Sequence, residues 1–332
     1  TSPSAEEIKQ RIKDAGIVGL GGAGFPTAVK VSPEKPVDTL IVNGAECEPY
    51  LTCDYRLMLE KTDEIARGAR YMASALGVSK IIIAIETNKP DCIEKFEAYD
   101  DIQPVKLAKK YPMGGEKQLI YTTTGRKVGL GKLPADVGVI VQNVATCFAV
   151  CEAVELGKPL IERIVTVSGQ GVKEPKNLWA KIGTPVKDIV EFCGGEITVG
   201  EKNAEGEVVE VSVSPKKAIL GGPMTGTAIA SYDVYTHKTT SGVLLLTDGE
   251  AAAEEPTPCL NCGMCADVCP MHLMPMNTAF YSAGGDFESA AKYGNVSYCI
   301  ECGACEHVCP AKRPLIQAIR KTKAALRAKK EN

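Results

Sequence analysis

Apolar residues change period several times along this chain, and each change marks an element. Ser4 with Glu7 makes a capping box, Ile8 and Ile12 give a helical stripe, and Gly16 closes it, so a helix comes first. Val37 to Val42 is a β-rich run, Ile65, Ala69, Met72 and Leu76 recur at helical spacing up to Gly77, and Ile81 to Ile85 and Val137 to Val141 have the length of buried strands. A further helix starts near Thr146. Strands alternating with helices predict a parallel, layered, Rossmann-like α/β domain over residues 1–158. The texture then changes. Ile164 to Ser168 is a strand, Gly169 and Gly171 punctuate a turn, Pro185 to Val190 is a short helix, and Val208, Val209, Val211 and Val213 alternate, giving a small mixed domain to about Gly226. Residues 227–250 return as an extended segment ending in Val243 to Leu246. The alanines, glutamates and prolines of Glu250 to Pro258 form a linker. The expected domains are therefore 1–158, 159–250 and 251–332.

At 332 residues the chain is long enough for two or three cores. Its 38 Lys+Arg against 41 Asp+Glu leave a net charge of −3, which provides no basic field for nucleic acid. No apolar run is long enough to span a membrane. Thr1 in place of an initiator methionine points to a processed, truncated or partly observed chain, with an upstream domain expected to be missing. Nothing resembles a signal peptide, so the thiols are expected to be reduced. Lys312 to Asn332 is basic, with Leu315, Ile319 and Leu326 at helical spacing. That tail is either a solvated terminal helix or a contact with an anionic membrane surface or acidic partner.

Eight of the 14 cysteines bring chemistry into this layout. Cys259, Cys262, Cys265 and Cys269-Pro270, and again Cys299, Cys302, Cys305 and Cys309-Pro310, read C-x2-C-x2-C-x3-C-P, the ligand run of two-cluster ferredoxins. Three thiolates at two-residue intervals wrap one cubane, and the fourth ligates the other. One [4Fe–4S] cluster is thus assigned to Cys259, Cys262, Cys265 and Cys309, the second to Cys299, Cys302, Cys305 and Cys269. Zinc explains paired four-cysteine runs with C-P endings poorly, and disulfides would need an oxidising compartment.

Gly19-Leu20-Gly21-Gly22-Ala23-Gly24 satisfies G-x-G-x-x-G, with Glu46 downstream as the dinucleotide fingerprint asks. Yet this loop follows a helix and precedes the first strand, whereas the fingerprint must follow a strand. It is either a tight turn or a place where backbone amides approach a ligand. The segments Asn43 to Pro49, Pro112 to Lys117 and Gln142 to Thr146 also put glycines and polar groups where strands should end, and such ends bind cofactors in open α/β sheets.

The glycine loop with Phe25 and Pro26, Asn43 to Pro49 and Gln142 to Thr146 resemble the FMN site of the NADH-binding flavoprotein of respiratory complex I. The chain is more similar still to the family of C subunits of the Rnf electron-transport complex, an ion-translocating ferredoxin:NAD oxidoreductase. That likeness covers nearly the whole chain, including Gly221-Gly222-Pro223-Met224, Lys238 to Gly242 and both cysteine runs. The resemblance implies a β-grasp domain of the SLBB type after the flavin domain, then a mainly helical two-cluster ferredoxin domain. An N-terminal barrel-like domain, usual in the family, would be absent here. It also implies that Gly19, Gly21, Gly22, Gly24 and Lys30 line non-covalent FMN, with Asn43, Glu46, Asn143 and Thr146 around its ring and phosphate. Glu116, following Gly114 and Gly115, would lie beside the nicotinamide of NAD(H), and Phe25 would stack on the nucleotide. Here the chain departs from complex I, which has Gly-Glu-Glu in that loop. The implied partners are the membrane and cluster-bearing subunits of an Rnf-type complex and, indirectly, ferredoxin, with the chain peripheral on the cytoplasmic side of the membrane.

The logic of the combination is electronic. Nicotinamide exchanges two electrons as hydride, a cluster exchanges one, and a flavin mediates. Two other readings fit the same residues: a soluble flavin and iron–sulfur reductase resembling microcompartment cobalamin reductase, and a non-enzymatic two-cluster relay with a merely structural glycine loop. Cys147 and Cys151, at i and i+4, and Cys47, Cys53, Cys92 and Cys193 are expected to be packed thiols rather than ligands. His272 and His307 lie beside ligand positions already filled by cysteine.

Overall fold

The computed structural model describes residues 3–202, 208–212, 214–251 and 255–331. It divides into two compact units, residues 1–252 and 253–332. Val213, the last of the alternating valines, lies outside the described residues, as do Thr1, Asn332 and residues 252–254 of the expected linker.

The first unit is built on four parallel strands, β1 (Thr39–Gly44), β2 (Lys80–Glu86), β3 (Ile102–Leu107) and β4 (Val139–Asn143), in the order β3-β2-β1-β4. Both faces are covered, so alternate residues of one strand serve different cores. Leu40, Val42, Ile83 and Ile140 pack with helices Ala5–Asp14, Thr62–Leu76 and Val144–Leu156. Ile41, Ile82 and Val141 pack with Leu119 and Ile120 of helix Glu116–Thr124. Strand β3 is absent from the sequence-based expectation because Pro104 interrupts it. As an edge strand it tolerates a residue without an N–H. Ser4 caps the first helix with the expected reciprocal bonds to Glu7, and Gly77 ends helix Thr62–Leu76 at φ 69°.

A mixed sheet follows in the same unit. Strands β5 (Glu162–Ser168) and β6 (Lys176–Lys181) precede a hairpin of β7 (Thr198–Lys202) and β8 (Val208–Ser212); β9 (Lys217–Leu220), β10 (Thr227–Ile229) and β11 (Gly242–Leu246) complete it, in the order β10-β9-β11-β5-β6. Only the β11–β5 pair in that sheet is parallel. Helix Val186–Phe192 covers it through Val186, Ile189 and Val190.

The second unit repeats one pattern twice. Gly263 and Gly303, at φ 80° and 78°, start the short helices Met264–Asp267 and Ala304–His307. Helix Pro275–Ala283 follows the first cysteine run, and helix Leu315–Glu331 follows the second. Of the basic tail, Arg320 and Lys323 face Glu301, Lys329 faces Glu288, and Lys321 lies over the Phe287 ring. No helix among the described residues is long and apolar enough to cross a membrane.

Candidate functional site

Strand order reverses between β1 and β4, so their C-terminal ends open a crevice where α/β sheets take ligands. Asn43 and Asn143 are register partners across that opening. Asn143 caps helix Val144–Leu156 by accepting from Ala145 N at 2.8 Å, and its Nδ2 donates to Asp54 Oδ2 at 2.6 Å. Asn43 Nδ2 donates to Gly114 O at 2.9 Å, which draws the Gly114-Gly115-Glu116 turn to the end of β1.

The glycine loop lies against this opening. Gly19 N donates to Phe25 O and Gly24 N to Gly19 O, closing the loop on itself. Leu20 anchors it from both sides: its N–H donates to Thr146 Oγ1 at 3.0 Å, and its carbonyl accepts from Arg163 Nη2 at 3.3 Å. Gly21, Gly22, Ala23 and Phe25 are left exposed, and Gly22 sits at φ 113° with open space where a Cβ would be. A Cβ on Gly21 would come 3.3 Å from Asn143 Cβ, so loop and strand end form one surface. Lys30 Nζ, from the short helix after the loop, donates to Glu116 Oε1 at 2.8 Å and to Val141 O at 3.1 Å.

Two of the residues that the resemblance puts around the flavin are bonded to the walls of the crevice. Thr146 is fully buried and holds the loop rather than facing the crevice. Glu46, at φ 44°, turns its carboxylate onto the N-terminus of helix Cys53–Glu60, accepting from Asp54 N at 2.7 Å and Tyr55 N at 3.0 Å. Burial and the neighbouring Asp54 push its pKa up to about 8. Burial also raises Asp54, while its bond from Asn143 and the nearby Arg163 and Lys89 act the other way. Burial depresses Arg163, whose charge the nearby Cys53 and Asp54 favour. Burial raises the Cys47 thiol to about 11, and its sulfur stands 3.2 Å from where a Gly114 Cβ would be.

Sequence reasoning passed over Asp54, Arg163, Lys89 and Glu48. Lys89 Nζ donates to Ala45 O at 2.7 Å, and Glu48 accepts from Met224 N and Thr225 N at 2.7 and 2.9 Å, tying the β1 loop to the Gly-Gly-Pro-Met turn. Only Arg163 carries a signal in the sequence, as a cation beside an apolar strand run.

The chemistry of a flavin mononucleotide fits this cradle. The rim is glycine and backbone, a lysine stands at its edge, and Gln142 Nε2 and Thr27 Oγ1 are buried without a partner among the described residues, on the β4 end and just after the loop.

In the second unit Cys269, Cys299, Cys302 and Cys305 line one cavity with Leu273, Val296, Ile300, Ile316 and Ile319. Burial raises Cys265, and the thiols of Cys309 and Cys259 are near enough to raise it further. The structure thus gathers the four cysteines around one cavity and brings three of the other set together, each group crossing between the runs. Among the described residues, no three of these thiols lie within 4.8 Å of one another. A single tetrahedral ion with Zn–S bonds of about 2.3 Å would need them closer, whereas a cubane does not. Leu273 N, Arg313 N and Glu301 N point at the sulfurs of Cys269, Cys309 and Cys299 at 3.4, 3.4 and 3.3 Å, as cluster thiolates favour. Cys147, by contrast, packs 3.9 Å from Met72 Sδ in the core, and Cys53, Cys92, Cys151 and Cys193 are also buried.

Three sequence-family models match: a Nuo51 FMN-binding domain over residues 12–152, an SLBB domain over 164–228 and a 4Fe-4S dicluster domain over 258–313. The chain is 46% identical over 330 residues to the C subunit of the proton-translocating ferredoxin:NAD(+) oxidoreductase complex of Clostridium ljungdahlii, covering 98% of this chain and 69% of that protein. It is 45% identical over 296 residues to the C subunit of the ion-translocating oxidoreductase complex of Rhodobacter capsulatus, covering 87% of this chain and 54% of that protein. The Na(+)-translocating counterpart of Acetobacterium woodii is 42% identical over 332 residues, covering 98% of this chain and 71% of that protein. An NAD+-reducing [NiFe]-hydrogenase shares the fold, with a TM-score of 0.67 at 20% identity over 98% of this chain and 67% of that one.

Proposed function

The chain belongs to the family of C subunits of ion-translocating ferredoxin:NAD(+) oxidoreductase complexes, and from that membership we propose that it is the subunit at which NAD(H) meets the electron path. FMN in the crevice would exchange hydride with nicotinamide on one side and single electrons with two [4Fe–4S] clusters on the other. The observation that carries this reading is that one chain holds both a glycine-lined crevice at the strand-order reversal and two crossed sets of four cysteines.

Each residue has a task in that scheme. Gly19, Gly21, Gly22 and Gly24 let backbone come close to the flavin, while Thr146 and Arg163 fix the loop through Leu20. Lys30 is a cation for the phosphate or ring edge, aimed by Glu116 and the Val141 carbonyl. Asn43 and Asn143 set the mouth of the crevice, and Glu46 with Asp54 stiffens the wall behind it. Exposed Phe25, with Gly114 and Gly115, borders the side from which a nicotinamide would enter. Cys259, Cys262, Cys265 and Cys309 hold one cluster, and Cys299, Cys302, Cys305 and Cys269 hold the other. The protein sits peripherally on the cytoplasmic face of a membrane complex, and its partners carry the ion translocation and the ferredoxin end.

The test is an anaerobic NADH titration of the full chain after flavin extraction from a parallel sample. We expect about one FMN and about eight iron atoms per chain, with NADH bleaching the flavin. Glu116→Ala is expected to raise the KM for NADH. A chain without FMN, or a flavin that NADH leaves oxidised, would overturn the reading.

A further inference from the structure

The two cysteine runs provide an internal control, since forty residues separate every cysteine from its counterpart, from Cys259 and Cys299 to Cys269 and Cys309. Backbone geometry repeats with them: Asn261 and Glu301 sit at φ 54° and 56°, His272 and Lys312 at 53° and 50°. The charges do not repeat. Lys323 Nζ donates to the Cys299 carbonyl at 2.7 Å and to Glu301 Oε1 at 2.7 Å, and Arg320 Nε reaches Glu301 Oε2 at 3.1 Å. The counterparts forty residues earlier are Ala283 for Lys323, Asn261 for Glu301 and Phe280 for Arg320, none of them charged. Glu306, the other carboxylate of the second run, accepts from Ile316 N at the start of helix Leu315–Glu331.

Reducing a cluster adds one negative charge, so its potential depends on local net charge, hydrogen bonds to sulfur and burial. The cavity of Cys269, Cys299, Cys302 and Cys305 is lined by apolar side chains, which opposes taking an electron. Lys323 acts the other way. Its side chain is only 17% exposed, so solvent screens it weakly, and Lys323, Arg320 and Glu301 together leave one positive charge beside Cys299.

We infer that Lys323 is a potential-setting residue for one cluster of the pair, offsetting the burial of the Cys269, Cys299, Cys302 and Cys305 site and separating its midpoint from that of its twin. This rests on the cluster reading of the two thiol sets. The experiment is a redox titration of the reconstituted full chain, followed by electron paramagnetic resonance, for wild type, Lys323→Gln and Glu301→Gln. Lys323→Gln should move one midpoint to more negative potential and leave the other in place. Glu301→Gln, which removes a negative charge from the same spot, should move that same midpoint the opposite way, and it decides the matter if Lys323→Gln fails to take up iron. Two unshifted midpoints, two equal shifts, or shifts of the same sign in a chain with full iron overturn the inference alone. A wild-type chain that binds no iron overturns the cluster reading with it.

Discussion

Around the crevice, polar side chains satisfy one another: Asn143 holds Asp54, Glu46 caps a helix, Thr146 and Arg163 hold Leu20, and Lys30 holds Glu116. In the second unit the small core of Val296, Leu315, Ile316 and Ile319 packs directly against Cys265, Cys299, Cys305 and Cys309. The first unit has an extensive apolar core on both faces of its parallel sheet and a site built on that frame. The second, residues 253–332, is a small domain whose ligands are part of its core, and a core of that size adds little stability without a metal or similar staple. One site is a surface feature of a fold, and the other is the fold.

The largest effect that could break this contrast is iron removal. Chelation under reducing conditions should leave amides of β1 and β2 protected from hydrogen exchange and bring those of residues 255–331 to near-complete exchange, because ligand binding and folding are one event there. Equal protection in both units would sink the comparison.

A middle-sized effect probes the first unit alone. Helices Thr62–Leu76 and Val144–Leu156 cross so closely that a Cβ on Gly68 would lie 1.8 Å from Cys147 O. Gly68→Ala should cost about 3 kcal/mol, at the upper end of overpacking effects, seen as a lower thermal midpoint of the first unit with unchanged iron content. A neutral result would mean that the two helices can part freely.

Per pH unit, the smallest effect is a slope set by Glu46. Glu46 is raised from its ordinary carboxylate value to about 8, so between those pH values the folded chain binds more protons than the unfolded one. Stability is therefore greatest at the acid end of that window and falls as pH rises through it, by up to about 1.4 kcal/mol per pH unit for one proton. Glu46→Gln should flatten the slope in denaturant titrations of the first unit from about pH 5 to pH 8. The same slope in wild type and variant would assign the proton elsewhere.

Much of this was legible in the chain. The short apolar runs and helical stripes located β1, β2, β4 and their helices to within a few residues, since burial on both faces leaves continuous apolar runs that little else explains. The C-terminal helix was likewise visible. Strand β3 was not, because Pro104 conceals an edge strand, nor were helices Cys53–Glu60 and Pro90–Glu97, whose apolar stripes are short. At the site, the glycine loop and the cysteines were visible because only those residue types do what they do. The protein partners of Glu46 and Thr146, the N-terminus of helix Cys53–Glu60 and the Leu20 amide, could not be read in advance, since a side chain's partner is set by residues distant in sequence. Asp54, Arg163 and Lys323 were missed for the same reason.

By itself the sequence determined the ligand chemistry and the order of the parts: cysteine spacing sets which thiols can wrap one cubane, and hydrophobic period sets strand against helix. Only the tertiary structure decided that β4 lies beside β1, which makes the crevice, and that Lys323 reaches Cys299, which makes the two cluster sites unequal. Both depend on contacts between distant segments, and their geometry comes from packing rather than local pattern.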